Sequence, residues 1–336
     1  MNSALDDLAE ALLLRLRATP ARRFPLSRLA DAHNTDESRV LAGLELLCQW
    51  GYRFHRGTGD AAWWQFKQAP DALLPTELSY KLKSKTFGSV MHTYKTVKST
   101  NSIASRFASD GSPEGTLVIS EMQTAGRGRL GRSWHSPAGV GAYLSLILRP
   151  KIQPTEAPVL SLVAGLALAE TIDHLTGLTA TIKWPNDVLL GKRKTAGILT
   201  ELQADGDKVT AVIVGVGINI NQTRELFPDE FREKATSLRI QRRRKVDRVK
   251  LVQEFLLRFE RRYGEFLAGG FAKLRKPTLK RSSLLGKKVA VSLSNKRKTS
   301  GEVIDIDEFG RLVVLTATGE FPLLSGEVTL TENYLK

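Results

Sequence analysis

The chain has 336 residues, of which 42% are hydrophobic and 25% are charged, a composition that is ordinary for globular proteins and predicts two or three domains. Its single cysteine, Cys48, excludes a disulfide within the chain and fits a reducing compartment. The formal net charge of +15 favours acidic or polyanionic partners. Nearly half of that charge lies in residues 239–262, which hold ten Lys/Arg against three Asp/Glu.

No targeting or membrane segment is predicted, so we expect a cytoplasmic protein. The first ten residues are acidic, whereas a targeting segment would begin with a basic run followed by an apolar one. The longest apolar run, Val159 to Ala169, is shorter than the roughly 20 residues that a membrane helix needs. Cys48 lies in the apolar helical stretch Val40 to Trp50, and we expect it to be a small core residue rather than a nucleophile.

Residues 1–68 are predicted to form helices followed by a β-hairpin. Leucines at helical spacing indicate helices over Leu5–Arg17, over Leu26–Ala32, and from a cap at Thr35 to Gly51. The runs Tyr52–Phe54 and Trp63–Phe66 then flank the turn Arg56–Asp60. This order of elements is typical of a winged helix-turn-helix domain.

A proline-bearing connection, Pro70–Pro75, leads into residues 76–275, where strands and helices alternate as in a mixed α/β domain. The clearest elements are expected at Thr116–Ser120, Ala142–Leu148, Pro158–Leu175, Gly197–Gln203, Val209–Ile218 and Val249–Gly269. Residues 280–336 favour a small β-barrel, with strands at Val289–Val291, Gly301–Ile306, Leu312–Leu315 and Glu327–Leu330 and turns at Glu308–Gly310 and Thr318–Glu320.

The densest chemical signal is the Gly/Arg loop, Gly126–Arg132, which lies between Gln123 and Trp134. Glycine lets the backbone approach a ligand closely, and guanidinium groups bind phosphate or carboxylate with paired donors. An Arg/Gly linker that binds RNA or nothing is the alternative, but apolar strands flank the run on both sides. The run therefore predicts a mobile loop that wraps an anion.

Three further runs carry weaker signals. Lys183–Asp187, followed by Lys194, offers Asn186 and Asp187 as a polar pair for a metal or a ribose, although a turn with solvated charges explains it equally well. Glycines within the strand Val214–Asn221 indicate a close approach by a ligand or by backbone. The polar run Lys98–Ser102 is typical of a helix cap, which is compatible with ligand contact.

Together and in this order, the four runs resemble the biotin protein ligase family. The resemblance covers nearly the whole chain and is most specific between Lys95 and Asn221; the flanking domains resemble the bifunctional ligase–repressor type. It implies an α+β multidomain fold whose central domain is of the class II aminoacyl-tRNA synthetase-like type. It also implies that biotin and ATP form biotinyl-5′-AMP, from which biotin passes to a lysine of the biotin carboxyl carrier protein of acetyl-CoA carboxylase.

The resemblance assigns roles to individual residues. The biotin contacts would be Ser99, Thr100, Asn101, Gln123, Gly126, Arg127, Gly128, Arg129 and Lys194. The ATP contacts would be Arg129, Arg132, Trp134, Asn186, Asp187, Gly215 and Asn219. Lys194, Arg127 and Arg129 would neutralise charge in catalysis, and Mg²⁺ would arrive with ATP near Asp187 rather than occupy a fixed protein site.

The resemblance also implies two further partners: operator DNA, and a second copy of the chain in a homodimer that forms when the adenylate binds. No association with a membrane is expected. DNA would be read by the helix-turn-helix Leu26–Glu45, with Arg28, Ser38 and Arg39 as contacts. However, Thr35–Trp50 has one basic residue against three acidic ones, which is unfavourable beside phosphates. The sequence leaves two rival functions open: a lipoate or octanoate ligase-type acyltransferase, and a non-catalytic biotin-sensing DNA-binding regulator.

Two stretches of the chain fall outside these motifs. Residues 222–238 should contain a second loop that covers the adenylate, with Phe227 as a candidate apolar lid, but they are not easily matched to the family. The basic run Arg239–Lys250 is expected to be a solvated surface rather than a binding site.

Overall fold

The computed structural model describes residues 3–57, 62–292, 298–324 and 326–331, and the chain divides into two compact units, residues 1–72 and 73–336. The first unit has three helices and a three-stranded antiparallel sheet with β3 in the middle. Its elements are α1 (Ser3–Ala18), β1 (Phe24–Pro25), α2 (Leu26–Ala32), α3 (Glu37–Gln49), β2 (Arg53–Gly57) and β3 (Trp63–Gln68).

The predicted helices of this unit are confirmed, with two corrections. The cap of α3 is Asp36 rather than Thr35, because the Asp36 carboxylate accepts a 2.8 Å hydrogen bond from the backbone N–H of Arg39. Cys48 is exposed, so its assignment to the core was wrong. Leu44 and Leu47 already fill the inward face of α3. The predicted turn after β2 lies mostly outside the described residues.

A seven-stranded sheet dominates the second unit, in the order β4-β5-β6-β10-β9-β8-β7, antiparallel except for the pair β4/β5. Its strands are β4 (Met91–Tyr94), β5 (Leu117–Ser120), β6 (Gly141–Leu148), β7 (Ala180–Lys183), β8 (Asp187–Leu190), β9 (Arg193–Asp205) and β10 (Lys208–Asn219). The helices around it are α4 (Pro75–Ser79), α5 (Thr100–Ser109), α6 (Leu160–Thr176), α7 (Asp229–Arg232), α8 (Leu238–Arg242), α9 (Arg248–Gly269) and α10 (Ala272–Lys280).

The alternation of side chains along each strand gives this sheet two different faces. On β10, Val212, Val214 and Val216 belong to the large core that also contains α6 and α9. The intervening residues Ala211 and Ile213 pack with α5 in a smaller cluster, and the same face continues into Gly215 and Gly217. The apolar helices α6 and α9 therefore cover one face of the sheet. On the other face, the residues near the end of β10 are glycines, which have no side chains.

The helix α6, with the short 3-10 turn before it, forms the run Pro154–Thr176. By length and composition alone this run could cross a membrane, but 72% of its most apolar window is buried inside the protein. It lies in the main core against α9 and the sheet, and the described residues contain no second helix of this kind. Its apolar composition is therefore that of a central core helix.

A buried ion pair fixes the start of α9. Arg248 has no exposed side-chain surface; it donates to Glu121, which follows β5, at 2.6 Å and to the carbonyl of Gly141 at 3.1 Å. Glu121 also accepts from the backbone N–H of Leu73 at 2.7 Å. The expectation that the basic run Arg239–Lys250 is solvated is thus wrong at Arg248, although Arg243, Arg244 and Lys245 are exposed.

The C-terminal part of this unit is an antiparallel sheet of five strands in the order β14-β13-β12-β11-β15. They are β11 (Lys288–Ser292), β12 (Lys298–Ile306), β13 (Leu312–Thr316), β14 (Gly319–Leu323) and β15 (Glu327–Leu330). The sequence interpretation missed β14, because Pro322 argues against a strand and is tolerated here at an edge. The described strands show no pairing of β14 with β15 that would close a barrel.

Trp184 is one of the side chains that join this sheet to the rest of the unit, alongside a shared hydrophobic core. Trp184, in the turn between β7 and β8, is 2% exposed and donates its indole N–H to the carbonyl of Gly310 at 3.0 Å. Gly310 in turn lies against Val159, so closely that a Cβ at this position would overlap the valine side chain. The two sheets of the second unit are therefore in direct contact at the Trp184 turn.

We expect Arg248→Ala to destabilise the second unit by about 3–5 kcal/mol, because it leaves the Glu121 carboxylate without its cation. Urea denaturation followed by tryptophan fluorescence measures the loss. Arg261→Ala on the solvent side of α9 is the matched control, since the Arg261 side chain is 55% exposed and its removal should cost less than about 1 kcal/mol. Equal losses in the two variants would contradict the structural role of the buried pair.

Candidate active site

A cleft opens on the bare face of the sheet, and its lining combines apolar residues with a few convergent polar groups, as small-molecule sites do. The start of α5, the Gly/Arg loop and the strands β9 and β10 surround it. Its lining residues are Ser99, Thr100, Asn101, Gln123, Arg127, Gly128, Arg129, Trp134, Leu144, Asn186, Lys194, Gly197, Ile198, Leu199, Gly215, Val216 and Gly217. Four runs that are distant in sequence thus meet at one site.

Hydrogen bonds among polar side chains organise one end of the cleft. Ser99 is at the cap position of α5, but its side chain makes no capping bond. Gln123 accepts from the backbone N–H of Thr100 at 2.9 Å and donates to Ser136 at 3.0 Å. The hydroxyl of Ser145 lies 2.8 Å from Thr100 Oγ1 and donates to Asn101 Oδ1 at 2.6 Å. These buried side chains are held in fixed orientations, as recognition of a polar ring system requires.

Glycines form the floor of the cleft. A Cβ on Gly215 would overlap the side-chain amide of Asn101, and a Cβ on Gly217 would overlap the indole of Trp134. On the neighbouring strand, a Cβ on Gly197 would lie 3.1 Å from the indole ring. Gly215 therefore contacts a residue assigned to biotin, although the sequence had placed it with ATP.

The other end of the cleft combines a cation, a carboxylate and an aromatic ring. Lys194 Nζ is 2.7 Å from Asp187 Oδ1 and 5.2 Å from the centre of the Trp134 ring. The indole N–H of Trp134 is buried, and within the described part of the chain it has no hydrogen-bond partner. A ligand atom could accept this hydrogen bond.

The Gly/Arg loop is held over the cleft from two sides. Arg127 forms an ion pair with Glu201 of β9 at 3.0 Å, and Arg129 donates to Asn186 Oδ1 at 3.3 Å. Gly126 is buried, where a Cβ would overlap the carbonyl of Trp134. In contrast, Leu130 at the tip is 70% exposed with a φ of 57°. The base of the loop is thus fixed, while its tip faces solvent.

Several predicted residues lie outside the lining of the cleft. Arg132 is exposed, and Asn219 is buried with its side-chain oxygen accepting from Gln222 at 3.1 Å. Asp187 reaches the site through its ion pair with Lys194. Three contributors were missed in the sequence, namely Leu144, Ser145 and Glu201. The alternation of β6 and β9 could have placed Ser145 and Glu201 on this face, but not identified their partners.

The segment after Asn219 runs beside Lys194. The backbone of Lys194 donates to the carbonyl of Lys234 and accepts from the N–H of Thr236, both at 2.9 Å. Phe227, the candidate lid, is 4% exposed and follows a 3-10 turn whose Leu226 carbonyl lies 3.0 Å from His135 Nε2. This segment therefore packs beside Lys194 at the Lys194–Trp134 end of the cleft.

Burial, as the largest cause, raises the pKa of the Tyr143 hydroxyl above its usual range. This tyrosine lies behind the cleft and donates to the carbonyl of Pro137 at 3.0 Å. It remains a neutral hydrogen-bond donor at physiological pH, and its role is structural.

The chain matches known proteins over most of its length. Residues 93–219 match the model of the biotin/lipoate A/B protein ligase family, and residues 284–330 match the biotin protein ligase C-terminal domain. The bifunctional ligase/repressor BirA of Bacillus subtilis is 37% identical over 310 residues, which cover 90% of this chain and 92% of the relative. The chain belongs to the biotin protein ligase family. It is a biotin protein ligase.

Two other comparisons agree with this assignment. A biotin–[acetyl-CoA-carboxylase] ligase of Paracoccus denitrificans is 34% identical over 68% of this chain and 96% of its own length. The biotin protein ligase of Aquifex aeolicus, solved in complex with biotin and ATP, has 31% identity and a TM-score of 0.63 and matches 72% of this chain and 98% of its own. The prediction of a ligase is confirmed, and the two rival functions are not supported.

We expect Gly215→Ala in this ligase to weaken biotin binding by about tenfold or more, because the new methyl group displaces the Asn101 amide from its hydrogen bonds. Isothermal titration with biotin measures the change. Gly165→Ala on α6 is the control, since the nearest atom to its new Cβ would be 3.8 Å away. An unchanged dissociation constant in Gly215→Ala would contradict the tight fit between Asn101 and β10.

Proposed function

We propose that this ligase joins biotin and ATP to form biotinyl-5′-AMP, and then transfers biotin to a lysine of the carrier protein of acetyl-CoA carboxylase. The observation that carries the proposal is the single cleft that spans the Thr100–Gln123 end and the Lys194–Trp134 end. We place biotin at the first end and the nucleotide at the second. The enzyme would work in the cytoplasm, where ATP is available.

At the biotin end, donors and acceptors that the protein holds in fixed positions would form hydrogen bonds with the polar ring of biotin. The buried side chains of Thr100 and Asn101 and the half-buried side chain of Gln123 supply both kinds of group, and Ser99 flanks them. An analogue without the matching polar atoms would leave these buried groups unpaired, which is strongly unfavourable. The glycines of β9 and β10 leave room for the side chains of Asn101 and Trp134 to lie against the strands.

In the first half-reaction, a carboxylate oxygen of biotin attacks the α-phosphorus of ATP, and pyrophosphate leaves. Two anions must meet, so a cation near the new bond lowers the barrier. Lys194 is the group that we assign to this position, because it lines the cleft and Asp187 orients its ammonium group. Arg129 would add a second cation above it from the Gly/Arg loop.

Mg²⁺ would supply further charge neutralisation on the phosphates when it arrives with ATP. The described residues contain no cluster of three or more His, Cys, Asp or Glu side chains that could hold a metal. Asp187 offers one carboxylate, and one of its oxygens is already paired with Lys194. This arrangement fits an ion carried by the nucleotide rather than a resident one.

In the second half-reaction, the amine of the carrier lysine attacks the mixed anhydride, and AMP leaves. Until the carrier binds, the anhydride must be shielded from water. The Gly/Arg loop is placed to do this, because Arg127 and Arg129 fasten it across the mouth of the cleft.

We expect Lys194→Gln to lower biotin-dependent exchange between ATP and labelled pyrophosphate by about 100-fold, the usual effect of removing one charge-stabilising donor. Lys192→Gln, in the exposed turn two residues earlier, is the matched control and should retain wild-type exchange. Lipoate and octanoate serve as substrate controls. Exchange that depends on lipoate and not on biotin, or a fully active Lys194→Gln, would overturn the assignment.

We further propose that residues 1–68 form a winged helix-turn-helix domain and that the protein represses genes for biotin synthesis when the adenylate is bound and the ligase has dimerised through its central sheet. The order of three helices and a hairpin supports the fold. Arg28, Ser38 and Arg39 are exposed on α2 and α3 and are the candidate DNA contacts. We retain residues 76–275 as the catalytic domain and residues 280–336 as a small β-barrel domain, of which the sheet β14-β13-β12-β11-β15 is the described part.

Charge limits the expected affinity for DNA. Residues 1–72 contain nine Lys/Arg and nine Asp/Glu, so this unit has no net charge. Arg23 and Arg56 lie over the rings of Trp63 and Trp64, at 4.3 Å and 6.0 Å, and are held on the hairpin rather than on α3. Arg39 is the one basic residue of α3, so binding should be weak and dependent on dimerisation.

We expect the full chain to retard DNA from upstream of biotin-synthesis genes only with biotin and ATP present, and only below about 0.1 M salt. A gel shift over a salt series tests this, with Arg39→Ala as the weakened variant and Arg258→Ala, on α9, as the control. Retardation that is equal with and without the adenylate, or absent at low salt, would contradict the repressor proposal.

A further inference from the structure

Glu201 is the one acidic side chain that contacts both the biotin end of the cleft and the Gly/Arg loop within the described part of the chain. It lies on β9, two residues beyond Leu199 and on the same face of the sheet, and its side chain is 34% exposed. A single carboxylate oxygen, Oε2, accepts from Asn101 Nδ2 at 2.8 Å and from the Arg127 guanidinium at 3.0 Å.

We propose that Glu201 is a positioning residue that couples recognition of biotin to closure of the loop. We call the three-residue contact of Glu201, Asn101 and Arg127 the Glu201 latch. The inference rests on the proposed role of the loop in retaining the adenylate. Glu201 does not line the cleft itself, so it acts through its two partners.

The first effect of the latch is on Asn101. The amide oxygen of Asn101 accepts from Ser145 at 2.6 Å, and the amide nitrogen donates to Glu201. A carboxylate can only accept, so it fixes which end of the amide points to Ser145. Because Asn101 is 4% exposed and pressed against Gly215, it has no room to rotate into another arrangement.

The second effect is on Arg127. The Gly/Arg loop would otherwise have to be drawn down by the ligand alone, since its tip is in solvent. The ion pair with Glu201 anchors the loop to the strand β9, and a loop restrained in this way loses less entropy when it closes over a ligand. Arg127 is therefore a loop anchor paired with Glu201, whereas Arg129 is the loop arginine that donates to Asn186 at the proposed nucleotide end.

The two effects are linked because they share one oxygen. A biotin ring that keeps Asn101 in place also holds Glu201 Oε2 where Arg127 can reach it. When the loop opens, Glu201 Oε2 loses Arg127 as a partner. The latch therefore predicts that the retention of the adenylate and the binding of biotin respond to the same carboxylate.

The test measures how fast preformed labelled biotinyl-adenylate leaves the enzyme during a chase with unlabelled biotin and ATP. Arg127 is 46% exposed, and an exposed ion pair has a modest effect, so we expect Glu201→Gln and Arg127→Gln each to speed release by about two- to fivefold. The double variant should release no faster than Arg127→Gln, because both changes break the same contact. Glu265→Gln is the matched control: its side chain is 36% exposed and is paired with Arg261 and Arg262 on α9.

Two further measurements separate the latch from a general structural role. Raising the salt concentration from about 0.05 to 0.5 M should speed release from the wild type and leave Glu201→Gln nearly unchanged, because salt screens an exposed pair. Glu201→Ala should also raise the KM for biotin above that of Glu201→Gln, since glutamine retains an oxygen that can accept from Asn101.

Additive effects in the double variant, or release from Glu201→Gln at the wild-type rate, would overturn the latch. Arg127→Gln changes an exposed side chain and keeps the proposal testable if the Glu201 variants do not fold. A wild type that accumulates no labelled adenylate would overturn the proposed function and the latch with it. If the wild type retains the adenylate and Glu201→Gln releases it at the same rate, the latch is contradicted and the proposed function is not.

Discussion

The active site depends on the absence of side chains along the paired strands β9 and β10. Gly197, Gly215 and Gly217 leave a shallow trough on a sheet whose opposite face is fully packed against α6 and α9. Asn101 from α5 and Trp134 from the end of the Gly/Arg loop rest in that trough, so two separate parts of the chain are aligned by the same rigid surface. The two ends of the cleft are therefore set by where these two side chains touch the sheet.

A continuous set of polar contacts then connects the ends. From Trp134 it passes through Ser136 and Gln123 to Thr100, and through Ser145 and Asn101 to Glu201 and Arg127. Ser136, Thr100, Ser145 and Asn101 are buried, where an unpaired polar group is costly. A rearrangement at any one of them therefore changes the hydrogen bonding of its neighbours, which is a physical basis for a site that senses its ligand as a whole.

Sequence patterns predicted the order of elements and most of the cleft, because strand alternation, helix periodicity and the four motifs are local signals. They failed where the decisive contact joins distant residues. Glu201 is 74 positions from Arg127, and nothing in its own surroundings distinguishes it from a solvent-exposed charge on a hairpin. Arg248 was hidden for the same reason, because its burial depends on Glu121, 127 positions away. Cys48 was wrongly assigned to the core because it directly follows Leu47 on α3. Neighbouring residues of a helix point in different directions, so Leu47 is buried and Cys48 is exposed.

The contact between Trp184 and Gly310 has a consequence for how this chain can be divided. The turn that holds Trp184 also presents Asn186 and Asp187 to the nucleotide end, and its indole is fastened to a loop that follows β12. A fragment that stops after α10 would retain every residue of the cleft and yet lose the support of that turn. A fragment can therefore contain every residue of the cleft and still be too short to hold those residues in place.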